Sequence, residues 1–528
     1  MEKPKSYTLE RVAAGVLACV VLAYVPVYLS LPLARDQGIF AWVAMVMRDG
    51  GLPFRDAWEV KGPLVYLLYV IPVGLFGSSS WGVRLVDLLF VLGGMGMLYG
   101  ALRPRVAPPV ALLGALLLFA YYTHDFWNAA QADGWASLML LGCLVLLLAD
   151  RGQRRPWVAL LAGVLLGAMF LIKPPYALFC LLPPAYALAS EPRAWRANVA
   201  FVATAALGVL AAIGLLVFVF WVRGGLEALL DIQLRWNVLV YQSLYSLPLG
   251  ARLQELRFQL RVPSLLALHV LGLTGLGMHA RSARRETVLL STAWAVGLVS
   301  ILIQGRFYPY HFFILYPALL IGMGLCLRAA SEVLKEKPQA LRALPRLGAV
   351  GLLVFGLHLP VRMMLMRTED RVDYLSGRLG TEEYNATFTW GDYYYADIAA
   401  LAQHVSETTA PEDTVLVYGL DAGINFLANR HSPTRFGFQY PLVIGTEEFK
   451  TRYRAEFLQA LEAHPPQVII LSDHIDNPLY RATVPGLMRD FPALRDYIER
   501  GYTPDVQTPH YFVLRRGKRE AVGTDNGG

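Results

Sequence analysis

Apolar runs long enough to cross a bilayer recur along the first two thirds of the chain. They lie near 11–34, 82–102, 107–123, 133–149, 156–172, 174–189, 197–222, 263–280, 286–303, 309–327 and 347–366. Crossing takes ~20 residues, so the pattern predicts a polytopic α-helical membrane protein of about eleven spans. Hydrocarbon offers no hydrogen-bond partner, and each run must therefore satisfy its own backbone as a helix. Only 16% of the 528 residues are charged, against about a quarter in soluble domains. Past residue 366 the composition becomes that of a soluble domain. The expected division is a transmembrane module at 1–366, an extracytoplasmic α/β domain at 367–516 and a disordered tail at 517–528.

The net charge of +7 lies largely in short connectors. There it sets orientation and is no nucleic-acid footprint. The N-terminus, "MEKPKSYTLERVAAGVLACVVLAYVPVYLSLPLA", is basic and then apolar without a small-residue cleavage site, so an uncleaved first span is expected. The stretch 63–77 is apolar but short. Read as a helix in the outer interface, it leaves "RPR" (103–105), "DRGQRRP" (150–156), "EPRAWR" (191–196), "HARSARR" (279–285) and the basic connector 327–346 on the side of Lys3 and Lys5. The positive-inside rule then places the N-terminus in the cytoplasm and the C-terminal domain outside. Cys19, Cys143, Cys180 and Cys326 all fall inside apolar runs, which leaves no disulfide framework and no CxxC metal site.

Under this topology the remaining connectors carry the chemistry at one boundary: Asp36, Glu59 and Lys61; His124, Asp125 and Asp133; Lys173; Arg306, Tyr308 and His311. Ionisable groups at the ends of apolar spans are costly and are functional candidates. Each also has a plainer reading. Asp36 and Asp133 stand where aspartate caps helices, and "DQGIFAWVAMVMRDGG" has the spacing of an amphipathic interfacial helix. Lys61 and Lys173 can snorkel, and Phe307, Tyr308, Tyr310, Phe312 and Phe313 suit an aromatic belt. One histidine with two aspartates in 124–133 is a thin ligand set, so the cofactor expectation stays open between none and a divalent metal.

Five segments together resemble the polyprenyl-phosphate-sugar-dependent glycosyltransferases of the GT-C type, in the branch of the protein O-mannosyltransferases and the lipid A aminoarabinose transferase. They are "DQGIFAW" with Asp36, "RDAWEVKGPL" with Glu59, Lys61 and Pro63, "FGSSSWGVRL" with Arg84, "GVLLGAMFLIKP" ending at Lys173, and "GRFYPYH". Gly62 stands where that family often has proline, and "NAAQADGW" around Asp133 matches its second acidic stretch poorly. The resemblance spans roughly residues 10–330. It implies a sugar donor linked through phosphate to a polyprenol, with Asp36 as general base and Lys61, Lys173 and Arg306 as phosphate ligands. Glu59, His124, Asp125, Asp133, Tyr308 and His311 are candidates for donor, acceptor or metal contacts. The implied setting is the bacterial cytoplasmic membrane, with an envelope lipid, glycan or protein as acceptor.

In the last third, "DTVLVYG" (413–419) and "PQVIILSD" (466–473) read as buried strands. "EEFKTRYRAEFLQALEAH" and "ALRDYIERGY" read as helices, and "PHYFVLRR" as a further strand. This predicts a small α/β sandwich. No G-x-G-x-x-G follows a strand, so no nucleotide site is expected. "FLANRHSPTRFGF" is similar to the outer domain of the same family branch, and Asn385-Ala386-Thr387 is a chance-level sequon. The reading to weigh against a transferase is a transporter or flippase of lipid-linked sugars, or a non-catalytic binder of them. Transporter sites lie near the midplane, often on repeats, whereas no internal repeat is apparent here.

The orientation is tested by cysteine-accessibility labelling. Asn128→Cys and Leu420→Cys should report outside, and Arg154→Cys and Ala283→Cys inside. Labelling of 128 and 154 from the same side would break the assignment.

Overall fold

The computed structural model describes residues 4–191, 193–241, 247–335, 339–473, 475–477, 480–482 and 484–517. Among these, seven helices are long and apolar enough to cross a membrane: Glu10–Leu29, Ser80–Leu102, Ala132–Asp150, Trp195–Val222, Arg284–Gln304, Pro309–Glu332 and Val350–Leu375. Leu249–Gln259 and Pro263–His279 meet at 90° and can supply an eighth. The chain is a polytopic α-helical membrane protein.

The other expected runs take shorter forms. Pro108–Thr123 and Pro156–Ile172 have 16 and 17 residues, about 24–26 Å of helix against a hydrocarbon core of ~30 Å. The run 174–189 is not one helix but a 3-10 segment, Pro174–Leu181, followed by Leu182–Ser190. Prolines at 174, 175, 183 and 184 cause the break, because they cannot donate to the helical ladder. The last membrane helix, Gln339–Leu375, continues past residue 366. Proline opens Pro63–Phe76, Pro108–Thr123, Pro156–Ile172 and Pro263–His279 at a position whose N–H has no helical partner. Helix pairs approach through small residues. Gly163 and Gly208 bring Pro156–Ile172 against Trp195–Val222, and Gly275 and Gly322 do the same for Pro263–His279 and Tyr316–Lys335.

The helix Arg35–Arg48 differs from the amphipathic expectation. Every residue from Gln37 to Met45 is buried, because the C-terminal domain packs over the face turned away from Pro63–Phe76. The sequence "IFAWVAMVM" is apolar on all sides, which is the pattern of a buried helix and not of an interfacial one. A Cβ at Gly38 would sit 3.0 Å from the Gly423 Cα. On the other face the helix packs against Pro63–Phe76, where Phe40 meets Tyr66 and Tyr69 edge-on.

The C-terminal domain holds a four-stranded mixed sheet in the order Val415–Tyr418, Val468–Ser472, Tyr511–Arg516, Tyr502–Gln507. The first pair is parallel and the others are antiparallel. Helices Tyr395–Thr408, Glu447–Ala463 and Pro492–Gly501 accompany the sheet. The strand missing from the sequence reading, Tyr502–Gln507, is the edge. It is mostly exposed and holds Pro504, so it lacks the apolar alternation of a buried strand. The expected tail lies outside the described residues, apart from Gly517.

The C-terminal domain docks on the first loop. The Trp58 amide donates to the Arg435 carbonyl at 2.6 Å, Arg435 Nη1 donates to the Phe54 carbonyl at 2.8 Å, and Tyr393 Oη donates to the Leu33 carbonyl at 2.6 Å. Arg35 pairs with Asp421 at 3.0 Å and Asp392 at 2.7 Å, and Tyr511 Oη donates to the second oxygen of Asp421. The segment 426–438 thus lies against the loop, with Gly437 leaving room for the Trp42 ring.

Candidate active site

Helix Arg35–Arg48 starts where the chain leaves the first span, and its N-terminus is held from three sides. Gln37 supplies the cap: its Oε1 accepts from the Ala34 amide at 2.7 Å. The same oxygen accepts from Arg84 Nη2 at 2.9 Å, and the Gln37 amide nitrogen donates to the carbonyls of Phe126 and Trp127. Arg84 is fully buried and also donates to the carbonyls of Leu31, Pro32 and Phe126. Asp36 is therefore not a cap. Its side chain is 31% exposed, with Lys61 Nζ at 3.9 Å and Tyr310 Oη donating to it at 3.3 Å. Its negative charge remains open toward solvent.

Lys61 is placed by backbone packing. The Gly62 amide donates to the Ile172 carbonyl at 3.1 Å. A Cβ there would collide with the Leu171 carbonyl and lie 2.7 Å from the Ile172 carbonyl. A proline at 62 would lose that hydrogen bond and bring the same carbon, which explains why glycine stands at this position here. The contact also joins the Lys61 loop to the segment that carries Lys173. The segment Asp231–Tyr241, wound as a π-helix, closes the loop from above: Gln233 donates to the carbonyls of Val60 and Lys61, and Asn237 to that of Val60. Burial works against the charge of Lys61, but Tyr241, Asp36 and Glu59 around it outweigh burial and hold its ammonium above the usual lysine value.

Gly305 ends Arg284–Gln304 with φ of +64°, a conformation that suits glycine, and the turn sends Arg306 out of the helix. The guanidinium lies 3.9 Å from the centre of the Tyr241 ring and donates to Tyr241 Oη. The Arg306 carbonyl is hydrogen-bonded to His311 Nδ1. His311 is buried, whereas Tyr308 is half exposed and stacks on Tyr310 with centroids 5.5 Å apart.

The other carboxylates are already engaged. Asp133 is buried, takes Lys173 Nζ at 2.9 Å on both oxygens and accepts from Tyr176 Oη. Like Asp36, it lies in the first turn of its helix without capping it. Burial, together with the nearby charges of Lys61 and Arg306, brings Lys173 down to about 8 despite Asp133. Glu59 is buried, accepts from the Lys61 amide and Tyr66 Oη, and is raised by burial.

Asp36, Lys61, Tyr308, Tyr310, Arg306, His311, Lys173 and Asp133 thus form one neighbourhood, with Glu59 behind Lys61. His124 and Asp125 are not joined to it by any hydrogen bond among the described residues. His124 Nδ1 bonds the Ala120 and Tyr121 carbonyls, and Asp125 binds Asn128 Nδ2 and the Trp127 amide, which shapes the turn. Among the described residues no group of three or more His, Cys, Asp and Glu is gathered to hold a metal ion.

The sequence reading missed Tyr241, Tyr176 and the positioning role of Gln37. It also missed Asp87, a buried carboxylate that accepts from Trp135 Nε1 at 2.6 Å, the Ala130 amide at 2.9 Å and Tyr28 Oη. A lone Asp inside the apolar run 82–102 was the available signal for that network.

Over the length of the chain, this arrangement of helices and C-terminal domain matches the crystal structure of ArnT from Cupriavidus metallidurans bound to undecaprenyl phosphate. The TM-score is 0.63 at 16% identity, with 95% of this chain and 97% of that one covered. The chain has the ArnT fold. The apo crystal structure of ArnT matches with a TM-score of 0.60 at 14% identity and the same coverage. Residues 60–221 match the family model described as dolichyl-phosphate-mannose-protein mannosyltransferase. Among curated proteins, none matches the sequence. On the ArnT fold of this chain, the segment matching the family model runs from the Lys61 loop through Asp133 and Lys173 to the end of Trp195–Val222.

Gly62→Ala tests the joint between the two lysine segments. The added methyl has only backbone to displace, so the variant should lose about 1–3 kcal/mol of stability. Melting of the detergent-solubilised protein measures it, and an unchanged midpoint would show that the two segments part freely.

Proposed function

We propose that the chain transfers a sugar from a polyprenyl-phosphate donor to a hydroxyl acceptor, with inversion at the anomeric carbon. The reaction takes place at the outer face of a bacterial cytoplasmic membrane. The N-terminus is cytoplasmic, the domain after residue 366 is extracytoplasmic, and the acceptor is an envelope lipid, glycan or protein. The observation that carries this reading is an open carboxylate beside a partly buried cation, Asp36 at 3.9 Å from Lys61. Two comparisons support it: the ArnT that shares the fold is bound to undecaprenyl phosphate, and the matching family model is described by a dolichyl-phosphate-mannose donor.

Asp36 takes the proton of the acceptor hydroxyl as that oxygen attacks the anomeric carbon. The leaving group is a phosphate, stable as an anion, and it departs without a proton donor. It needs positive charge, which Lys61 and Arg306 supply. At an effective dielectric of about 20, unit charges ~4 Å apart interact by roughly 4 kcal/mol, enough to matter for the rate. Lys173 adds to the positive field while it remains bound to Asp133. Tyr308, half exposed and backed by the buried Tyr310 ring, offers a flat face at the rim for a sugar ring. A transporter is disfavoured because the charged groups of the candidate site gather at the end of the bundle and not near its middle.

Asp36→Asn decides the role of the base. With the cap supplied by Gln37, stability should hardly change. Transfer from a polyprenyl-phosphate sugar should fall at least ~10²-fold, with donor binding intact. A fully active Asp36→Asn protein would sink the assignment.

Lys173 predicts an alkaline limit. A lysine at about 8 is charged below that pH and neutral above it. If its charge helps to hold the donor, kcat/KM, which reports the free enzyme, should fall as pH rises through about 8. In Lys173→Arg the guanidinium stays charged, so the limb should move beyond pH 9. A parent profile that is flat to pH 9 would detach Lys173 from donor binding.

A further inference from the structure

The far end of the bundle carries a second built cluster, independent of the reading above. Helix Ala132–Asp150 has Asp133 in its first turn and Asp150 as its last residue, so the two ends lie roughly 25 Å apart. At the Asp150 end three connectors meet: 150–156, 191–196 and 279–285. They hold eight arginines against two acids, Asp150 and Glu191. Asp150 is buried and already engaged: it accepts from the amides of Arg154 at 2.6 Å and Arg155 at 3.1 Å, and from Tyr186 Oη at 2.7 Å. Tyr186 Oη in turn accepts from the Gly152 amide at 2.6 Å. These bonds hold a backbone in which Arg151 and Arg154 both take positive φ, +54° and +56°. Two non-glycine residues in the left-handed region within four positions are strained, and such strain persists only where the surroundings impose it.

The fold also leaves positive charge unspent here. A Cβ on Gly152 would lie 2.5 Å from Arg285 Nη1 and 3.5 Å from Ser190 Oγ, so the Arg285 guanidinium rests on this connector. Among the described residues it has no carboxylate partner and its buried Nε has no hydrogen bond. Its one aromatic neighbour is Tyr186, with the ring centre 6.0 Å away. Arg154 spends one Nη on Asn198 at 2.9 Å, while its buried Nε is also unpaired. Beside these arginines the bundle turns apolar surface outward. Trp157 is 53% and Trp195 63% exposed, with Leu161 and Val199 on the next turns also exposed.

We propose that Arg154 and Arg285 form a binding site for the phosphate of an acidic membrane phospholipid, whose acyl chains lie along the Trp157 and Trp195 faces. A fork of guanidinium donors fits a phosphodiester, and indole rings sit at the level of lipid headgroups. The flanking apolar faces favour a lipid over a free anion, which would have no use for them. The site lies in the leaflet opposite to Asp36, so it neither needs nor affects the donor assignment.

Native mass spectrometry of the intact protein in a zwitterionic detergent tests the site, with palmitoyl-oleoyl phosphatidylglycerol and phosphatidylcholine of the same chains as probes. The phosphatidylglycerol adduct should be retained at least ~tenfold more than the phosphatidylcholine adduct, the scale expected of two arginines at an anionic lipid. Arg154→Gln/Arg285→Gln should bring the two probes to parity. Glycerophosphoglycerol, which has the headgroup without the chains, should not compete at equal concentration. Equal retention in the parent, unchanged selectivity in the variant, or full competition by the soluble headgroup would each overturn the proposal. In case the variant fails to fold, photoactivatable phosphatidylglycerol on the unaltered protein provides a second measurement. Its crosslinks should map to 151–161 and 195–199, and an absence of crosslinks there would equally reject the site.

Discussion

A single buried guanidinium organises the outer end of this molecule. Arg84 projects from the first turns of a membrane helix into a place with no exposure to solvent. A charge there is tolerable only if polar groups surround it. Those groups are the carbonyls of Leu31, Pro32 and Phe126 and the side chain of Gln37, which come from the end of the first span, the 124–131 turn and the start of Arg35–Arg48. The cost of burying the charge thus becomes a constraint on where the first span ends, where the next helix begins and how the 124–131 turn lies against both. Asp36 precedes Gln37 directly, so its position follows from that constraint. Arg35 carries the same constraint on to Asp392 and Asp421 of the C-terminal domain.

Three carboxylates then share one neighbourhood in three different states. Glu59 is buried and bonded to Tyr66 and the Lys61 amide, and Asp133 is closed by both bonds from Lys173 and by Tyr176. Asp36 alone among these three keeps an exposed oxygen, with one distant ammonium and one weak phenolic contact. The base proposed for the acceptor hydroxyl must still be able to accept a proton, and of these three carboxylates Asp36 is the one left open. The cations are also graded. Lys61 is held in its charged form by its neighbours, while Lys173 is eased toward neutrality by burial and by the charges of Lys61 and Arg306.

Much of this was legible before the structure. The apolar runs announced the helices, since in hydrocarbon a backbone has no alternative. The strands at 415–418 and 468–472 and the helix at 447–463 were readable from local pattern. Asp36, Glu59, Lys61, Asp133, Lys173, Arg306, Tyr308 and His311 were readable as charged or polar residues at the ends of spans. His124 and Asp125 satisfied the same criterion, yet among the described residues their side-chain hydrogen bonds stay within their own turn, because proximity in sequence to a boundary says nothing about which neighbours lie across it. Arg35–Arg48 was misjudged for a related reason. Its run is apolar on all sides, as suits a buried helix, but the domain that buries its second face comes more than 350 residues later.

What the sequence determined by itself was therefore whatever depends on residues near one another along the chain: helices from apolar length, their starts from proline, the turn at Gly305, and the placing of charge at boundaries. What only the tertiary structure decided was which charges meet. The partners of Arg35, Lys61, Lys173 and Arg306 lie 25 or more residues away along the chain, and Gly62 is explained by carbonyls of 171 and 172. A carboxylate is open or closed according to its partner. The partner is set by packing among elements whose local patterns do not refer to one another.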